Sequence, residues 1–539
     1  MPQPSFNVVE QGFCPVRWIS PREPSGGTGP DELVSLRALF ACAHDIADIR
    51  VPLPPAESGL LRILYVLTAR ITGLDRIVDR DDWLDHRDSV LRAGCFDARA
   101  IDAYLDRCAA RFELFHTATE WPFLQDPRLL SECRNTKGHP VSSGVNKLVS
   151  GRAAGNAFVW QSHTRDADAP PVAAPDALWS MLAVLFYGEP GRCTSRQVGS
   201  VSKADTKAAP LRATTSFHPL GRNLFETLLL GLVHEPSTEQ DVAPWEAPEL
   251  PDPLGVPGEP AGIASLLTGR FRHAVLLRPN EDGSAVTDAR ITWAWRYEHG
   301  PARDPYVLYR ANRTADEPPS AEHARADRAV WRDLDALLRK TRESGTARTL
   351  TRYRPRVFDD VEELEHGSGP IDIGEVAIRA IGFDQDRSQA KNRQYYVAST
   401  PPVLDMLEGI SADRADRVAR VREAAERAGD RLREALRGAW RDVTRSKLDG
   451  KARDEGVPWL HRGMAEYWDS AEPVFWQLVR ADDRPDGSIR NLFVRRALNA
   501  YDRATASRAH ALEDIKTLEF NRGRIMRAWH TERKDTADA

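Results

Sequence analysis

Residues 413–447, DRADRVARVREAAERAGDRLREALRGAWRDVTRSK, decide the architecture of the C-terminal part of the chain. The segment is rich in Ala, Arg and Glu and reads as one long helix. Segments of similar character follow at about 459–481, 487–508 and 509–532. Three or four helices joined by short links imply a bundle. Within them Trp468, Phe475, Trp476 and Leu478 read as core rather than as a ligand site. Pro401-Pro402 marks a boundary, so the expected domains are residues 1–400 and 401–539.

Upstream of that boundary the patterns are mixed. The first ~50 residues combine short apolar runs with Pro and Gly, including the turn-rich stretch Pro21 to Pro30, as an irregular or strand-containing entry segment does. Leu60, Leu61, Ile63, Leu64, Val66 and Leu67, then Leu105, Phe112, Leu114 and Phe115, have the spacing of buried helices. The polar segment from Gln125 to Lys147, with Arg134, Lys137 and His139, reads as a long surface loop. Ala177 to Phe186 and Asn223 to Leu232 are apolar helices. FRHAVLLR (271–278), Glu281-Asp282-Gly283 and Ala289 to Tyr297 predict a β-hairpin. The fold class expected is α+β: a large mixed N-terminal domain of mostly helices with a few antiparallel strands, then a C-terminal four-helix bundle. A chain of 539 residues exceeds what one core serves.

Composition narrows the function. With 41% apolar and 28% charged residues the chain is an ordinary globular protein. It has no apolar run of about 18 residues, and Met1 to Glu10 lacks a signal-peptide pattern, which predicts a cytoplasmic protein without a membrane partner. Cys14, Cys42, Cys95, Cys108, Cys133 and Cys193 lie far apart without zinc-site spacing and read as reduced, mostly buried thiols. A net charge of −5 is the wrong sign for a protein that coats nucleic acid, so any such contact must be local. Residues 484–534 hold 12 Lys or Arg against 6 Asp or Glu, which makes them a candidate local patch or a solvated helical face.

No phosphate-loop, dinucleotide, zincin or hydrolase-elbow motif is present, so no catalytic residue, metal or cofactor is assigned. His44-Asp45 could belong to a metal-dependent phosphohydrolase, or be a helix-end His beside an exposed Asp. The interval 188–212 is different. It carries Gly188, Gly191 and Gly199 with Arg192, Arg196, Lys203, Lys207 and Arg212, and glycine with nearby cations suits a loop that approaches phosphates or base edges.

A series of segments in order then resembles one family. Ser5-Phe6-Asn7-Val8-Val9 to Pro15-Val16-Arg17-Trp18 opens it, followed by Val34 to Phe40 with Ala43-His44, and Phe112 to His116 before Trp121 to Gln125. Asn156-Ala157-Phe158, Asn223 to Leu230, Pro244-Trp245-Glu246, Leu267 to Arg270, Asp304-Pro305-Tyr306 and Gln389-Ala390-Lys391 continue it. Together they resemble the CasA family, the large subunit of the type I-E CRISPR Cascade surveillance complex.

That resemblance implies a non-catalytic subunit that checks a short motif beside the target from the minor groove, helps open the duplex and helps recruit a helicase-nuclease, while a guide RNA reads sequence. Implied partners are the crRNA-containing Cascade subunits, double-stranded target DNA and that helicase-nuclease. Three elements would meet the motif. The glutamine-led wedge falls on Gln389, Ala390 and Lys391, with Gln385 as a rival register. The basic finger falls on Arg290 or Arg296, the former slightly preferred. The glycine loop falls on Gly199 and Ser200, with Lys203 and Lys207 for phosphates. Asn156, Phe158 and Val159 would face the rest of the complex near the guide's 5′ handle, or Phe158 would be core. Arg490, Arg495, Arg496 and Arg503 would form a positive stripe toward DNA. A metal-dependent nucleic-acid phosphohydrolase and a helical scaffold without nucleic-acid contact are the competing classes.

Overall fold

Pro54 and Pro55 open helix α1 (Pro54–Thr72), which closes at Gly73 in the left-handed region, φ 75°. Proline fits a first helical turn because its missing N–H would be unpaired there anyway. The helix is apolar around most of its circumference and is buried almost throughout, as a central helix must be. Helix α2 (Ala174–Tyr187) packs against it. The approach is close: a Cβ on Gly59 would stand 2.4 Å from the Phe186 ring. A larger residue at 59 therefore overpacks the core.

These features belong to a computed structural model that describes residues 4–20, 33–116, 121–154, 165–312, 317–341, 351–364, 369–386, 391–444, 456–481, 485–509 and 511–535, with side chains as far as 526. Small antiparallel sheets surround the helices. The strand Cys14–Trp18 pairs with Leu33–Val34 and Ile46–Ile49. A two-stranded hairpin joins β1 (Gly191–Val198) to β2 (Val201–Thr206). Strand β3 (Thr215–Leu220) belongs to another sheet. The predicted hairpin is present as β4 (His273–Pro279) and β5 (Ala285–Trp293), with Asp282-Gly283 in the connection. Finally β6 (Ala377–Gln385) lies between β3 and β7 (Asn392–Ser399).

Strand β6 is buried on both faces and ties its sheet to α1 through a charge. Arg379 donates from Nη1 to Asp48 Oδ1 at 2.8 Å and to Glu57 Oε1 at 2.9 Å. Burial pushes the Glu57 carboxyl up to about 7, against the pull of Arg379. Three of the cysteines, Cys14, Cys108 and Cys133, are buried; Cys42 and Cys193 are half-buried, Cys95 is exposed, and all six are free thiols.

Cα packing divides the chain into two units, Met1–Asp327 with Lys340–Asp405, and Arg328–Arg339 with Met406–Ala539. The second holds α3 (Ala412–Thr444), α4 (Pro458–Arg480), α5 (Asp486–Thr505) and α6 (Leu512–Asp535), which pack as the helical region the sequence foretells. Phe475 and Leu478 are buried, Trp468 and Trp476 half-buried. Trp331, from the short segment 328–339, stacks on Phe475 with ring centres 4.6 Å apart. Beside it Arg332 lies over Trp468 at 3.5 Å and pairs with Glu426 at 2.9 Å.

Candidate nucleic-acid interface

The interval 188–212 is not an open loop, as its glycines and cations suggest, but mostly the β1–β2 hairpin. Its turn is the two-residue Gly199-Ser200, with Gly199 at φ 56°, the position where a tight hairpin needs glycine. Both turn residues are exposed, as are Arg192, Gln197, Ser202, Lys203 and Lys207. Lys203 sits opposite Arg196 in the register. Lys207 makes a loose surface pair with Glu298 at 3.5 Å, which competes little with a phosphate.

Arg196 is the exception on this hairpin, for it is fully buried. It donates to Asp126 Oδ2 at 2.7 Å, to Glu132 Oε2 at 2.7 Å and to the Trp293 carbonyl at 2.9 Å. Burial alone would raise the Asp126 pKa, but the hydrogen bond from Arg128 and the charge of Arg196 outweigh it and hold the carboxyl below its ordinary value. Asp126 and Glu132 belong to the stretch read as a surface loop. That expectation is corrected here: Gln125, Asp126, Leu129 and Cys133 are buried, because the segment packs under the hairpin and supplies its counter-charges.

Trp293, at the end of β5, holds the hairpin from the other side. Its Nε1 donates to the Lys203 carbonyl at 3.1 Å, and the guanidiniums of Arg196 and Arg296 both lie 5.1 Å from its ring centre. Arg296 also donates to the Asp205 carbonyl at 3.1 Å, so one of the two finger candidates is engaged within the chain. Arg290 lies inside β5 opposite Leu276, half-buried, with Nε buried and unpaired. Below the hairpin His273 is buried, its Nε2 3.1 Å from the Glu189 carbonyl. Burial lowers its pKa to about 4 and keeps it neutral.

Gln389 and Ala390 lie outside the described residues, as do Asn156, Phe158 and Val159. The neck that carries the wedge positions is described. Asp386 N donates to the Lys391 carbonyl at 2.9 Å, just beyond the β6–β7 pairing, and the Lys391 side chain is exposed. Arg212 donates to the carbonyls of Tyr187, Asp386 and Lys391 and to Asn392 Oδ1, at 3.1–3.4 Å. Gln385 is ruled out as the wedge. It is 1% exposed, accepts from Ala213 N at 3.1 Å and donates to Asn392 Oδ1 at 2.8 Å. Ala213 itself has φ 59°, a strained value for a residue with a Cβ, held by that bond.

The arginines of α5 do not form one stripe. At 3.6 residues per turn, Arg496 and Arg503 share a face and Arg495 is one step round, while Arg490 points toward α3. There it lines a groove with Arg420, Glu423, Arg427 and Asp486. Arg495 and Arg496 are exposed, and Arg503 pairs with Glu466. His44 and Asp45 are 3.8 Å apart, and no cluster of three metal-ligating side chains occurs among the described residues. No helix among them is long and apolar enough to cross a membrane.

Sequence reasoning counted Arg196 and Arg212 among the cations of an exposed loop, whereas both are buried; it missed that role and the Asp126–Glu132 support, since charged residues are rarely read as interior. The family model for CRISPR-associated protein Cse1 matches residues 16–512. The chain is similar to the CasA/Cse1 protein of Thermus thermophilus, 27% identical over 503 residues, covering 91% of this chain and 87% of that one. It is similar to a chain of a solved CRISPR RNA-guided surveillance complex, 39% identical, TM-score 0.82, covering 97% of this chain and 100% of that one. It also shares its fold with Cse1 of Acidimicrobium ferrooxidans, 22% identical, TM-score 0.72, covering 99% of each chain. The chain thus belongs to the CRISPR-associated Cse1 family, also called CasA.

Proposed function

We propose that this chain is the non-catalytic large subunit of a type I-E Cascade complex, that it reads the motif beside a target from the minor groove of duplex DNA, and that it thereby promotes opening and R-loop formation. The observation that carries the reading is the β1–β2 hairpin: an exposed Gly199-Ser200 turn, with exposed Lys203 on β2 and exposed Lys207 just after it, on a base fixed by Arg196 and Trp293. A rigid base with a few exposed cations suits a protein of negative net charge that must touch DNA at few points. The minor groove shows a nearly degenerate edge pattern, which favours small residues, shape and inserted side chains over direct base reading. Gln389, Ala390 and Lys391 are the proposed wedge, Arg290 the finger, and Asn156, Phe158 and Val159 the contact with the guide-bearing subunits. The opened, guide-paired state then presents the surface that a helicase-nuclease recognises.

A gel shift of the reconstituted complex, with and without this chain, on duplexes that differ only beside the target tests the proposal. Motif-dependent capture that needs the chain is the expected result. Equal capture of all duplexes, or metal-dependent cleavage of nucleic acid by the isolated chain, overturns it.

A further inference from the structure

The residues after the β1–β2 hairpin, Ala208–Leu211, enclose with Leu266–Arg272 and His299–Asp304 a cavity of about 250 Å³. One end is cationic, and apolar side chains line one wall of the remainder. Arg62 is neutralised there by Asp304, with Nε–Oδ2 at 2.7 Å and Nη2–Oδ1 at 2.8 Å. Arg270 and Arg272 have no ion pair among the described residues; their guanidiniums donate to the backbone carbonyls of Gly300 and Tyr297. Nη1 of Arg270 is buried without a hydrogen-bond partner, and the buried ring nitrogens of His299 lie near the Gly269 backbone. Glu259 and Glu298 are close enough to act on the two guanidiniums electrostatically, without pairing with them.

Two neighbouring cations without a carboxylate partner form an arrangement that folding alone disfavours, since a buried donor left unmade is a cost. An anion at this end relieves both. The space lies just under the usual range for small-molecule pockets, roughly 300 Å³ and upward, so it suits a small ligand. The apolar wall, with Phe186, Leu211, Leu266, Leu267 and Phe271, suits a flat body attached to the anion. We infer that the cavity binds a nucleoside monophosphate, its phosphate on Arg270, Arg272 and His299 and its base against Phe271. The inference stands apart from motif reading, for none of these residues belongs to the hairpin tip or the wedge.

Calorimetric titration of the full chain with adenosine 5′-monophosphate, inorganic phosphate and adenosine tests it. The nucleotide is expected to bind saturably and about ten-fold tighter than either fragment, and Arg270→Gln and Arg272→Gln are each expected to weaken it about ten-fold. Binding no better than inorganic phosphate, or binding untouched by both substitutions, overturns the inference. Should either variant fold poorly, phenylglyoxal labelling of the unaltered chain decides: the nucleotide protects Arg270 and Arg272 if it binds there, and leaves their labelling unchanged if it does not.

Discussion

The guanidinium of Arg196 lies 5.1 Å from the ring centre of Trp293, a fully buried cation against a buried indole, with Asp126 and Glu132 on its remaining donors. This contact fastens a largely exposed hairpin to the rigid body of the first unit.

Replacing Arg196 by Met strands Glu132 and half of the Asp126 partnership. Breaking a buried pair from one side costs about 3–5 kcal/mol. Urea unfolding is expected to show a loss of that order, and limited proteolysis to cut within 191–206. A loss under about 1 kcal/mol with an uncut hairpin shows that the anchor lies elsewhere.

Lys203→Glu combined with Lys207→Glu removes two proposed phosphate contacts. The assembled complex is expected to bind target duplex more weakly, and the slope of log K against log salt to fall by about two. Arg495→Glu with Arg496→Glu is the parallel test for the exposed arginines of α5. Unchanged affinity and slope remove the pair concerned from the interface.

His273 gives a pH dependence of stated sign. Its folded pKa is about 4, below the ordinary histidine value, so its contribution to stability is full above about 6.5 and is lost as pH falls toward 4. Between pH 7 and pH 5 that loss amounts to about 2 kcal/mol. Unfolding of the parent and of His273→Gln at both values isolates it. The variant is expected to lose about 2 kcal/mol less on acidification, and an equal loss in both disproves the assignment.

The helical region was legible because its segments carry long, uninterrupted patterns, and the β4–β5 hairpin because FRHAVLLR precedes an Asp-Gly turn. Strand β6 was not legible. Buried on both faces, AIRAIGFDQ lacks the alternation that marks a half-exposed strand, and Arg379 within it looks like a surface residue. The β1–β2 hairpin failed for the opposite reason: most of its side chains face water, so no apolar rhythm records it. Its two buried residues, Arg196 and Thr206, are of types that sequence reading assigns to the surface. Among site candidates, the sequence preferred Gln389 and kept Gln385 as a rival register; the hydrogen bonds of Gln385 remove the rival, since a side chain engaged on three sides cannot also enter a groove.

Arg212 grips carbonyls at both ends of the neck beyond β6 and β7, and through Tyr187 it grips the end of α2 as well. The bond to Asn392 Oδ1 adds a side-chain hold on the first residue of β7. One guanidinium thus serves three separate backbone segments, and replacing Arg212 leaves a carbonyl of each without its partner.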